Sequence, residues 1–154
     1  MDVLLYTVLV VAADQISKHM VKLTLEPFQS IPIINNFFDI TYVQNTGAAF
    51  SILRGQMLFF YITSTMVIAT LIYILTKISA DKHGLRFVFC LILGGAIGNL
   101  IDRLRFGYVI DFLDFKVWPV FNIADIAIVV GVAVLVYLIL FKDELLEVFS
   151  KSGR

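Results

Sequence analysis

The sequence predicts a mainly α-helical integral membrane protein, with four spanning helices and a small β-rich cradle lying on the outer membrane face. Three observations lead there. The 154 residues are 60% hydrophobic, with mean hydropathy +0.92. Only 16% are charged, against about 25% in a soluble domain. Four apolar stretches reach or approach the ~20 residues needed to cross a bilayer core. The one long connection between them alternates with period two, the pattern of a half-buried strand. Twelve basic and twelve acidic residues cancel to a formal net charge of zero, so no single-sign field attracts nucleic acid, and no Gly-rich phosphate loop occurs. A nucleic-acid partner is not expected.

The first span, residues 3–22, opens on the apolar run Val3 to Ala13, which Asp14, Lys18 and Lys22 then interrupt. It is long enough only if those residues reach a headgroup layer or a polar cavity. Ala12-Ala13 resembles a leader-peptide cleavage site, but the Met1-Asp2 start lacks the positive region of a leader, so a retained helix is expected. Residues 23–56 form the outer β region. Phe38, Ile40 and Tyr42 alternate with Asp39, Thr41 and Val43, Ser30 to Asn35 is a pairing partner, and Asn45-Thr-Gly47 supplies a turn.

The second span, 57–76, contains no charged side chain, which makes it the clearest of the four. The third, 85–104, holds Gly94 and Gly98 at the GxxxG spacing that admits a neighbouring backbone, and Cys90 as a small packing or lipid-facing residue. The fourth, 120–141, carries Asp125 near its start. The tail from Lys142 is charged and is expected to fray at the surface. Residues 1–154 therefore read as one membrane-embedded domain. Four spans put both termini on one side, yet six basic residues fall on each side of the membrane and leave the orientation open. The balance tips toward cytoplasmic termini only if Lys18 and Arg103 serve a site.

Polar residues gather at one end of the spans. Asp14 and Lys18 are four apart on the first helix, Asn99 and Arg103 four apart on the third, and Asn122 and Asp125 three apart on the fourth. Asn45 and Gly47 precede the second span at the same level. Taken singly, Lys18, Lys22 and Arg105 are ordinary headgroup-reaching cations. Asp111, in Tyr108-Val-Ile-Asp-Phe-Leu-Asp-Phe115, and Asp125, in Phe121-Asn-Ile-Ala-Asp-Ile126, differ, because an ionisable group in a span costs about 2.5 kcal/mol or more. Two carboxylates close together in a poorly hydrated site share about one proton near neutral pH. The ionised member takes a proton from water, while the protonated member polarises a scissile carbonyl and protonates the leaving nitrogen. Peptide hydrolysis is the reaction implied. His19 and His83 lack metal-ligand spacing and read as surface residues, so no metal is expected.

These residues fall in five motifs: Asp14-Gln15 with Lys18, Asn45-Thr-Gly-Ala-Ala-Phe50, Gly94-Gly-Ala-Ile-Gly-Asn-Leu-Ile-Asp-Arg103, Val109-Ile-Asp-Phe112 and Phe121-Asn-Ile-Ala-Asp125. In order and spacing the chain resembles the signal peptidase II family of bacterial membrane aspartic peptidases. The resemblance implies that Asp111 and Asp125 are the catalytic dyad, and that Asn45, Gly47, Asn99, Arg103 and Asn122 line the site. Asp14 and Lys18 would support it from the first helix. It further implies a diacylglyceryl-modified prolipoprotein as substrate, cut before the lipidated cysteine. No cofactor is implied. The enzyme would be a monomer among membrane lipids in the cytoplasmic membrane, both termini cytoplasmic, with its site near the outer face. The alternative from another class is a small proton- or ion-coupled transporter, since Asp and Asn within spans also mark ion paths. Such paths sit near the membrane midplane, whereas these residues lie at one end.

Overall fold

The computed structural model describes residues 2–47 and 55–142. Ala48 to Phe50 of the Asn45 motif, Arg54 of the charge balance and the tail beyond residue 142 lie outside the described residues. In chain order the elements are α1 (Asp2–Thr24), β1 (Ser30–Ile34), β2 (Phe38–Asn45), α2 (Met57–Lys77), α3 (His83–Phe106), β3 (Val109–Asp114) and α4 (Ile123–Lys142). α3 is the central helix, packed by α1, α2 and α4. Its glycines make this possible. A side chain on Gly94 would collide with Val10 of α1, and one on Gly95 with Ile128 and the backbone of Ala124 in α4.

The helical bundle has an apolar core around α3 and an apolar outer surface as well. Apolar side chains point outward, among them Leu4, Leu9 and Ile16 of α1, Leu58 and Met66 of α2, and Val129 and Leu140 of α4. Asp14, Lys18, Asn99, Asp102, Asp111 and Asn122 are buried. That distribution fits a hydrocarbon solvent. Among the described residues three helices, α2, α3 and α4, are long and apolar enough to cross a membrane. α1 is as long, at 23 residues, but Asp14, Lys18 and Lys22 lower its apolarity, so composition alone does not place it with the other three.

The sheet is antiparallel in the order β1-β2-β3. Its first two strands match the expected pair, joined through Asn36 at φ 59°, a conformation that asparagine tolerates. β3 lies outside the expected β region of 23–56. Val109 to Phe112 are all buried, so both faces are covered and no alternation marks them as a strand. Gly107, at φ 75°, ends α3 and donates its N–H to Arg103 O at 2.9 Å. Only a left-handed cap turns the chain so sharply into β3.

The fourth helix starts at Ile123 rather than at residue 120. Pro119 and Val120 are irregular, and Phe121 bridges back to Leu113. Its carbonyl accepts the N–H groups of Phe112 and Leu113 at 2.9 and 2.8 Å. The loop between β3 and α4 is therefore closed at its root, and Lys116 fastens it further by ion pairs of 2.6 Å to Asp39 and 2.9 Å to Asp114. Val21 and Leu25 at the end of α1 pack against Tyr42, Ile110 and Phe112, seating the sheet on the bundle.

Candidate active site

Asn122 precedes α4 and caps it. Its Oδ1 accepts the Asp125 N–H at 2.9 Å, while Asp125 Oδ2 accepts the Asn122 N–H at 3.2 Å. This is a reciprocal capping box, built from Asn and Asp. Because the cap fixes which end of the Asn122 amide faces the helix, its Nδ2 must point away. It does, donating to Asp111 Oδ1 at 2.7 Å and lying 3.1 Å from Asn99 Oδ1. One buried amide thus holds both aspartates. Asn122 and Asp125 do not simply share a helix face, as their spacing suggested; one caps the other.

Asp111 is placed by strand register. It pairs with Val43, and Asn45, two residues further along β2, lies diagonally on the same face. Asn45 Nδ2 donates to Asp111 Oδ2 at 2.9 Å, and Asn45 Oδ1 accepts the Gly47 N–H at 2.9 Å, an Asx turn that fixes the amide. Asp111 is 2% exposed. Burial, and then the neighbouring charge of Asp125, push its carboxyl up to about 7, against the downward pull of the Asn45 and Asn122 hydrogen bonds.

Asp125 is half-buried and opens onto a cavity of about 490 Å³ shared with Asp111. Asn99 Nδ2 donates to Asp125 Oδ1 at 2.8 Å. Arg103, one turn beyond Asn99, lines the same cavity with its guanidinium carbon 4.9 Å from the Phe60 ring centroid. Tyr61 donates to the Arg103 carbonyl at 2.9 Å, so α2 steadies that turn of α3. Gly47, Trp118, Phe121 and Val129 complete much of the wall. A polar end with two carboxylates, a guanidinium and three amides therefore meets an apolar wall.

Beneath the dyad lies a buried ion cluster. Lys18 is 1% exposed, so it is not the headgroup-reaching lysine its position alone suggested. Its Nζ lies 2.9 Å from Asp14 Oδ2, 2.9 Å from Asp102 Oδ2 and 3.0 Å from Asn99 Oδ1. The second oxygen of Asp14 accepts the N–H of Ala124, next to Asp125, at 2.9 Å. Asp102 Oδ2 accepts the N–H of Ile110, next to Asp111, at 3.0 Å. Gln15 Nε2 donates to Asp102 Oδ1 at 2.9 Å. Each carboxylate of the cluster so grips the peptide beside one member of the dyad, and the buried charges are paired as their desolvation requires.

Asn45, Asn99, Asn122, Asp111 and Asp125 are thus joined by direct hydrogen bonds, and Gly47 and Arg103 line the common cavity. Asp14 and Lys18 lie below the cavity, supporting it through Asn99 and the cluster. Asp102 is the residue that sequence reasoning missed. The available signal was its position three residues after Asn99, on the same helical face in the span that carries Asn99 and Arg103. His19 and His83 are exposed. Among the described residues no group of His, Cys, Asp and Glu is arranged to hold a metal ion.

The family model described as signal peptidase (SPase) II matches residues 6–141. The lipoprotein signal peptidase of Moorella thermoacetica is 47% identical over 140 residues, covering 91% of this chain and 93% of that protein. The lipoprotein signal peptidase of Caldanaerobacter subterraneus subsp. tengcongensis is 48% identical over 134 residues, covering 86% and 92%. Among solved structures, a bacterial membrane enzyme determined by the in meso method at 2.3 Å resolution superimposes with a TM-score of 0.84 at 36% identity, covering 92% of this chain and 88% of that one.

Proposed function

This chain belongs to the signal peptidase II family, the lipoprotein signal peptidases, and from that premise we propose that Asp111 and Asp125 are the catalytic dyad of its peptidase reaction. The chain is a membrane protease of lipoprotein processing. The observation that carries the dyad is that Asn122 holds both carboxylates, Asp111 by its side-chain amide and Asp125 by its backbone N–H, and that both face one cavity. The substrate is a diacylglyceryl-modified prolipoprotein, cleaved before the lipidated cysteine, so its acyl chains stay among lipids while the peptide bond enters the polar end.

Asp111, the more deeply buried member, holds the shared proton, and Asp125 is the ionised base. Water loses a proton to Asp125 as its oxygen bonds to the scissile carbonyl carbon. Asp111 donates a hydrogen bond to the developing oxyanion and then gives its proton to the leaving nitrogen as the carbon–nitrogen bond breaks. The products are a carboxyl terminus and an amine, and the dyad still carries one proton, now at Asp125. Arg103 and Asn99 hold substrate carbonyls, Asn45 and Gly47 border the cleft, and Asn122 orients the pair. Asp14, Lys18 and Asp102 keep the peptides beside the dyad in place.

Residues 1–154 act as one peptidase domain with four spans. α1 is the fourth: Asp14 and Lys18 face inward to the cluster while Leu4, Leu9 and Ile16 face outward, and 23 residues rise about 34 Å, enough for a ~30 Å core. Both termini are cytoplasmic, the sheet lies at the outer face of the bacterial inner membrane, and the enzyme is a monomer surrounded by lipid. The transport alternative has no support, because the buried ionisable residues gather at the strand-bearing end.

The test is reconstitution with a lipidated prolipoprotein. Asp111→Asn and Asp125→Asn should each lower cleavage by at least about a hundredfold while the protein still inserts and folds. Cleavage retained in either variant overturns the dyad.

A further inference from the structure

A second cavity, of about 250 Å³, opens between the ends of α1 and α3 and is separate in its lining from the dyad cavity, sharing no residue with it. Its floor is Lys18 and Asp102, whose charges the buried cluster satisfies. Its rim is basic: Lys22, Arg105 and His19, all exposed. Lys22 Nζ lies 3.8 Å from the Phe106 ring centroid and Arg105 Cζ 5.2 Å from the same centroid. Two cations are thus held against one ring, and among the described residues no carboxylate pairs with either. Like charges held in one cleft favour an anion between them. The ends of two helices alone do not provide that, since their terminal carbonyls carry only about half a charge each.

We propose that this cleft binds the headgroup phosphate of an anionic phospholipid, with Lys22 and Arg105 as its ligands and His19 at the edge. A lipid rather than a free phosphate is the occupant, because Leu23 and Leu104, 68% and 66% exposed, flank the cations and offer the acyl chains an apolar path. The proposal rests on the reading above that the strand-bearing end lies at the membrane surface. It extends that reading from general contact with lipid to one site with named ligands.

The experiment uses the full chain in phosphatidylcholine nanodiscs to which phosphatidylglycerol is added, with retained lipid counted by native mass spectrometry and prolipoprotein cleavage measured in parallel. The wild type should retain phosphatidylglycerol. Lys22→Gln combined with Arg105→Gln should retain it about twenty-fivefold less tightly, since each basic group near an anionic lipid contributes roughly a fivefold factor. A control with the same change in charge at the opposite end of the bundle, Lys77→Gln with Lys142→Gln, should retain lipid as the wild type does. Equal retention in the double variant, or equal loss in the control, overturns the site. Thermal stabilisation should follow phosphatidylglycerol and not inorganic phosphate; stabilisation by inorganic phosphate alone overturns the lipid as occupant. Cleavage should persist in the double variant, showing that it folds, whereas loss of cleavage with lipid still retained would count against the cleft and leave the dyad to its own test.

Discussion

Asn122 carries three tasks, two with its side chain and one with its backbone N–H. It caps α4, aligns Asp125 through the capping box and donates to Asp111. Burial and the neighbouring Asp125 outweigh that donation at Asp111, and their effect is measurable through pH. Its carboxyl is raised from 3.8 to about 7, so the folded protein holds a proton that the unfolded chain has released over that interval. Stability associated with this group is complete below about pH 4 and is lost as pH rises through about 7. Thermal unfolding in detergent should show that decline in the wild type, and Asp111→Asn should flatten it while making the protein more stable at pH 8. The turnover rate should fall above about pH 7 as the dyad loses its shared proton. A wild-type rate that keeps rising from pH 7 to 9 would contradict Asp111 as the proton donor.

At the scale of elements, α3 fits its neighbours only because glycine occupies the crossing points. A Cβ on Gly98 would sit 2.6 Å from Asp14 Oδ2 and 3.2 Å from its Cγ, and Asp14 cannot retreat without releasing Lys18 and the Ala124 N–H. Gly98→Ala should therefore destabilise the protein by about 1–3 kcal/mol and lower cleavage. Gly84 is the internal comparison, since a Cβ there meets nothing within 4 Å. In the first turn of the same helix, Gly84→Ala should be neutral or stabilise by up to about 1 kcal/mol. Calorimetry of the two variants in one detergent checks the pair, and equal effects would refute the packing argument. The GxxxG spacing was legible in the sequence. That Gly94 meets α1 while Gly95 meets α4 was not, because spacing names a close approach without naming the partner.

Across the whole molecule, the outer surface of the helices is largely apolar while Asp14, Lys18 and Asp102 are buried against one another, so the ion cluster is paired inside the bundle. α1 shows why composition alone leaves the membrane placement of a helix open. Its acidic and basic residues lower its apolarity, yet Asp14 and Lys18 satisfy each other within the bundle and Leu9 and Ile16 face outward. Leu9→Cys should resist a water-soluble maleimide in intact membranes and react with a lipid-soluble one, whereas Glu26→Cys beside the sheet should react with both. Cys90 is fully buried and contributes little background. Equal labelling of the two positions by the water-soluble reagent would remove α1 from the spans.

The sequence by itself determined the membrane class, the apolar helices α2, α3 and α4 within a few residues, the β1-β2 pair and the family, because hydropathy, period-two alternation and motif spacing are local properties of a chain. It also marked Asp111 and Asp125 as costly charges needing a purpose. The tertiary structure decided what the charges touch. β3 escaped notice because burial on both faces erases alternation, and Asp102 because its partners Lys18 and Gln15 come from α1 and Ile110 from β3. Hydrogen bonds between residues distant in sequence depend on how helices pack and strands register, and no local pattern encodes those distances.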